Sequence, residues 1–149
     1  MALAVIRVRA ADLQPDDLPW LRRLLVEGAW WDLVDEIACQ IISPWVRREP
    51  ALLERMDRWI EDPVLWVRRA AILSQIKCQG DTDVERLRSY VRQTAHEEDF
   101  FIRKAIGWAL RQHAYTDPEG VRAFVLEHEG VLSRLSVREA LKRIGRTAP

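Results

Sequence analysis

The stretch AWWDLVDEIA at positions 29–38 sets two tryptophans and two carboxylates at the start of an apolar run. Trp31 and Asp35 are four residues apart, so on a helix they stack on one face. The negative π-face of an aromatic ring and a carboxylate both favour positive charge. Together they suit the stabilisation of a cationic centre such as an oxocarbenium-like sugar. A carboxylate on a helix of this kind needs a reason, because burying even a neutral polar group without a partner costs about 2–7 kcal/mol. Two reasons are open for Asp35: it acts on something outside the core, or it pairs with Arg69 as a structural ion pair. Asp32 has a simpler one, since a negative charge in the first turn complements the helix macrodipole.

Few other residues offer chemistry. His96, His113 and His128 are scattered and read as surface residues rather than acids or bases. Cys39 and Cys78 have no CxxC companion and read as small buried apolar residues. Trp20, Trp45, Trp59 and Trp66 read as packing. The chain has no glycine-rich phosphate loop, no HExxH, no Cys/His cluster of zinc spacing and no nucleophile elbow. No cofactor and no metal are expected.

The elements that must position these residues form a repeat. WVRRAAILSQIK from Trp66 returns 35 residues later as FIRKAIGWALRQ from Phe101, and SVREALKRIG follows from Ser136 at the same offset. WWDLVDEIACQI from Trp30 precedes Trp66 by 36. Each is preceded by an amphipathic partner: DDLPWLRRLLVEG, EPALLERMDRWIED, DTDVERLRSYVRQTA and DPEGVRAFVLEH. Apolar residues fall at helical spacing, as in Leu52, Leu53, Met56, Trp59 and Ile60, and several segments start with Asp or Glu followed by Pro. The expected fold class is all-α, a HEAT-like α-solenoid of about four antiparallel helix pairs forming a single domain over 1–149. In this register Trp108 occupies the position held by Leu73 one repeat earlier, a larger aromatic in place of a core leucine. Residues 1–10 read as the tail of a helix from an earlier repeat.

The chain of 149 residues is 48% hydrophobic and 31% charged, a composition that excludes disorder and suits one globular domain. The opening MALAVI is broken by Arg7 and Arg9, too short for a membrane span and without a signal-peptide cleavage site. A cytoplasmic protein with no membrane association is expected. Net charge is zero, yet of 23 basic residues only Lys77, Lys104 and Lys142 are lysines, so 20 are arginines, the side chain suited to bidentate phosphate contacts. They gather on the second helix of each pair. Arg68, Arg69 and Lys77 have no acid among them, nor do Arg103, Lys104 and Arg111; Arg134, Arg138, Lys142, Arg143 and Arg146 face Glu139 alone. The first helices carry the acids, including Glu54, Asp57, Glu61 and Asp62. Second helices of a solenoid line one face, so a neutral chain would present one positive surface, the footprint of a phosphate backbone.

WWDLVD, WVRRAAIL, FFIRKAIGWALR and LSRLSVREALKRI, in this order and spacing, resemble the HEAT-like-repeat DNA alkylation repair proteins, the AlkD-type DNA glycosylases, from about Leu3 to the C-terminus. The resemblance implies a bacterial-type protein, cytoplasmic and nucleoid-associated when acting. It would wrap duplex DNA and excise cationic N3- or N7-alkylated purines. It implies that Asp35 is the catalytic aspartate with Trp31 and Trp108 as its aromatic pair. Arg69 and Arg111 then lie near the backbone at the lesion, with Arg68, Arg103, Lys104 and Arg138 as further DNA contacts on the basic helices. The chemistry agrees. A cationic alkylpurine leaves as a neutral base, so one carboxylate suffices and the general acid of ordinary glycosidases is dispensable.

Family members have further repeats before the matched region, so this chain is expected to be a short form, a late-assigned start or a fragment. Its exposed N-terminal edge is expected to favour self-association. The alternative function is a non-catalytic HEAT-like module that binds DNA or protein.

Overall fold

The computed structural model describes residues 2–148, with side chains from residue 4 onward, and among these residues the secondary structure is helical with no strand. Met1, the first residue of the expected helix tail, lies outside them. The chain divides into two compact units, Met1–Cys78 and Gln79–Pro149.

In the first unit, α1 spans Ala2–Val8, α2 Leu18–Gly28, α3 Trp31–Ile37, α4 Ser43–Arg48, α5 Leu53–Trp59 and α6 Leu65–Ile72. Helix α1 agrees with the helical reading of the N-terminus. It buries Ile6 and leaves Val5 and Val8 exposed. Helices α2, α3 and α6 pack on one another, and α5 packs on α6. Their apolar stripes supply the core: Leu21 and Leu25 of α2, Val34 and Ile37 of α3, Met56 of α5 and Val67 of α6 have essentially no exposed surface. Each such side chain contributes about 1.5–3 kcal/mol relative to exposure. Arg22 ties α2 to the turn ahead of α6, donating from Nε and Nη2 to Asp62 at 2.7 and 3.0 Å.

Helices α3 and α4 are one continuous run joined by a single π-helical turn at Ala38–Ile42. Pro44 explains it. In a regular α-helix its ring would collide with the carbonyl of Gln40, four residues back. The wider turn, in which the Ser43 N–H reaches Ala38 O, makes room while the helix continues. Trp45 then enters the core with no exposed surface.

In the second unit, α7 spans Val84–Thr94, α8 Phe100–His113, α9 Pro118–Glu127 and α10 Arg134–Leu141. Each starts at a capping side chain. Asp83 accepts from Arg86 N, Asp99 from Phe101 N and Ile102 N, Asp117 from Gly120 N and Ser133 from Ser136 N. Such caps each contribute about 1 kcal/mol. Helices α8 and α10 pack tightly at Gly107, where an added Cβ would stand 2.6 Å from the Cβ of Glu139 and 3.2 Å from Ser136 O. Ser136 Oγ bonds Arg103 O at 2.8 Å across the same contact. All eight segments read from the repeat are helical, as the all-α class requires.

Candidate functional site

Helix α3 begins directly at Trp31, with Trp30 extended before it. Trp30 and Trp31 stay in solvent at 53% and 46% exposure, while Val34 and Ile37 of α3 are sealed in the core. The Trp30 ring leans on Trp66 of α6 at 6.3 Å between centroids. Asp35 stands one turn beyond Trp31. Arg69, four residues into α6, grips it with both arms of the guanidinium: Nε reaches Oδ1 at 2.8 Å and Nη2 reaches Oδ2 at 3.0 Å. The burial is uneven. The Arg69 side chain is 4% exposed and that of Asp35 17%, so the carboxylate is the outer member of the pair. A carboxylate offers roughly four lone-pair sites. The two bonds to Arg69 leave the rim of Asp35 able to meet a cation or a water. One further turn along, burial and the nearby Asp35 charge push the Cys39 thiol up to about 12, which keeps it neutral and unreactive. Cys39 and Cys78 are both buried and free, as small apolar residues would be.

The second unit holds a differently built charge cluster. Glu139 of α10 is buried and receives two cations of α8, Lys104 Nζ at 3.0 Å on Oε1 and Arg111 Nη1 at 2.6 Å on Oε2. The hydrogen bond from Lys104 outweighs burial and, with the charges of Lys104, Arg111 and Lys142, holds the Glu139 carboxyl below its ordinary value. Trp108, half-buried on α8, falls between the two cations along the helix.

The cations read as a positive face have varied surroundings. Arg69, expected near the DNA backbone, is instead turned inward onto Asp35 and 4% exposed. Arg68 donates from Nη1 to Asp62 O and Pro63 O at 2.8 and 3.0 Å, and Arg103 from Nε to Glu97 O at 3.0 Å. Lys77 bonds Gln40 Oε1 at 2.6 Å. Arg138 is exposed on α10. Two further readings need correction. Trp20, expected in the packing, is 38% exposed, since α2 turns Leu21 and Leu25 inward instead. His113, expected at the surface, is half-buried, and its Nε2 lacks both solvent and a hydrogen-bond partner among the described residues. Burial accordingly lowers its pKa, opposed by Asp117 and aided by Arg88.

Sequence reasoning passed over Glu139 as an organiser, although the signal was present. At the repeat offset of 35, Glu139 occupies the position of Lys104, and Lys104 that of Arg69. Here that sign reversal coincides with the Lys104–Glu139 ion pair between α8 and α10.

A family model described as DNA alkylation repair enzyme matches residues 1–144. The chain belongs to the DNA alkylation repair enzyme family. Among solved structures, a predicted DNA alkylation repair enzyme from Enterococcus faecalis is similar at 27% identity and a TM-score of 0.90, over 98% of this chain and 68% of that one. A stretch of 93 residues is 30% identical to the human EF-hand calcium-binding domain-containing protein 14. It covers 62% of this chain, which spans only 18% of that protein's length. Among the described residues of this member of the DNA alkylation repair family, no three His, Cys, Asp or Glu side chains gather as a metal site, and no helix is long and apolar enough to cross a membrane.

Proposed function

We propose that this chain is a DNA glycosylase that hydrolyses the N-glycosidic bond of cationic N3- or N7-alkylpurines in duplex DNA. The observation that carries the reading is the Asp35–Arg69 pair, in which a buried guanidinium holds a partly exposed carboxylate one helical turn from the exposed Trp31. In this reading Arg69 keeps Asp35 oriented. Asp35 stabilises the positive charge that develops on the sugar and positions the attacking water. Trp31 offers its π-face to the same charge. Trp108 and the DNA contact at Arg111 are assigned by motif, those at Arg68, Arg103, Lys104 and Arg138 by their place on the basic helices, and the action of 1–149 as one HEAT-like domain belongs to the same proposal. Family membership supports a repair role, and the leaving-group chemistry explains why one carboxylate is enough.

The bidentate pair also favours a second reading. A carboxylate satisfied by an arginine needs no substrate, which fits a module that binds DNA without turnover.

Single-turnover release of 7-methylguanine from methylated duplex DNA, by the native chain and by Asp35→Asn, separates the two. The glycosylase reading expects release that falls on the order of 100-fold or more in the variant while DNA binding persists. No release from the native chain, with salt-dependent binding intact, would leave the binding module.

A further inference from the structure

Lys104, Trp108 and Arg111 lie at i, i+4 and i+7 of α8 and so share one face of that helix. Both cations end on a single acceptor, Glu139, whose side chain is 9% exposed while theirs are 40% and 28% exposed. The spacing between helices is too close for this to be an incidental surface contact. Gly107, adjacent to Trp108, brings α8 against the Cβ of Glu139 itself, and Ser136 locks the same crossing through Arg103 O. A Glu thus reaches up between two cations from a position that cannot slide. Each cation spends one donor on Glu139 in these bonds. A lysine ammonium has three donors and an arginine guanidinium five, so both keep donors for an outside anion.

We propose that Glu139 is a positioning residue for the phosphodiester backbone: it tethers Lys104 and Arg111 on either side of Trp108 and sets the charge their face presents to DNA at one unit instead of two. This rests on the reading of the chain as a DNA-acting protein. Untethered, both long side chains would sample many rotamers, and ordering them would oppose binding. Held by Glu139, they meet the backbone already aimed. The cost is one cancelled positive charge, which limits non-specific affinity.

This trade separates a positioning role from a purely structural one. Binding of a short undamaged duplex is followed by fluorescence anisotropy across a salt series for the native chain, Glu139→Gln and Glu139→Asp. Thermal unfolding confirms that each variant is folded. Freeing one charge should steepen the dependence of log affinity on log salt by about 0.9 in Glu139→Gln. Glu139→Asp, which keeps the carboxylate, should return the native slope. In parallel, saturating single-turnover base release should be slower in Glu139→Gln and recover in Glu139→Asp.

An unchanged salt slope in Glu139→Gln overturns the inference, whatever happens to base release. A steeper slope restored by Glu139→Asp, with no base release from any form, sustains the tether and removes the glycosylase reading instead. Absence of salt-dependent DNA binding by the native chain ends both.

Discussion

Asp35 in the first unit and Glu139 in the second are both carboxylates held by cations of a neighbouring helix, but the two clusters have opposite polarity. At Asp35 the cation is inside and the anion outside, joined by two hydrogen bonds. At Glu139 the anion is inside and two cations stand outside. The first cluster presents a negative rim beside an exposed tryptophan, an arrangement able to favour a developing cation. The second presents positive ends beside another tryptophan, able to hold phosphates. The same side-chain chemistry serves opposite ends depending on which member is buried, because the outer member can touch a ligand while the inner one sets its orientation and cancels part of its charge.

The largest effect that could break this contrast is on stability. Asp35→Ala removes two hydrogen bonds from the buried Arg69, and urea unfolding should show a loss of about 3 kcal/mol, the lower end for breaking a buried ion pair. Lys104→Met removes one of two cations from Glu139 and leaves Arg111 in place, so the loss should stay below about 1 kcal/mol. Equal losses in the two variants would mean that the clusters are not built differently after all.

Next in size is the helix crossing. Gly107→Ala forces a methyl to 2.6 Å from the Glu139 Cβ and 3.2 Å from a backbone oxygen, and overpacking of this kind costs about 1–3 kcal/mol. If the crossing carries the tether, this variant should also steepen the salt dependence of DNA binding as Glu139→Gln does. Native stability and an unaltered salt slope would show that α8 and α10 have more slack than their contact implies.

The smallest effect is on pH dependence. The carboxyl of Glu139 titrates below its ordinary value in the folded chain. Its ionisation therefore contributes stability that is fully present above the unfolded value near 4.5 and is lost as pH falls through the lower folded value. The destabilisation caused by Glu139→Gln should be constant from neutral pH down to about pH 5 and shrink below it, as unfolding free energies measured at stepped pH would show. A difference independent of pH throughout that range would place the role of Glu139 in packing alone.

Much of this architecture was legible from residue order. The offsets of 35 and 36 located four segments and the amphipathic pattern located the four that precede them, since a helix that buries one stripe repeats its apolar residues at a fixed spacing whatever lies beside it. Asp83, Asp99 and Asp117 precede α7, α8 and α9 and cap them, a local effect readable without a fold. The π-helical turn at Ala38–Ile42 was not read, although Pro44 is its cause, because a proline in a helical pattern can end the helix, kink it or widen it. Neighbouring packing chooses among these. Trp20 looked like core for a similar reason. Periodicity marks a stripe but not its edge, and a tryptophan one residue from Leu21 falls just outside it.

Asp35, Trp31 and Trp108 could be singled out by type and spacing, and the Asp35–Arg69 pairing could be named as a possibility. The sequence alone thus determined which segments are helical and where the apolar stripe of each runs, because these depend on neighbours within a turn or two. Tertiary structure alone decided which charges meet, and which member of each pair is buried. Arg69 and Lys104 occupy equivalent repeat positions, yet one is sealed beneath a carboxylate and the other stands above one. Burial belongs to the packing of separate helices against each other, and no local spacing of residues encodes it.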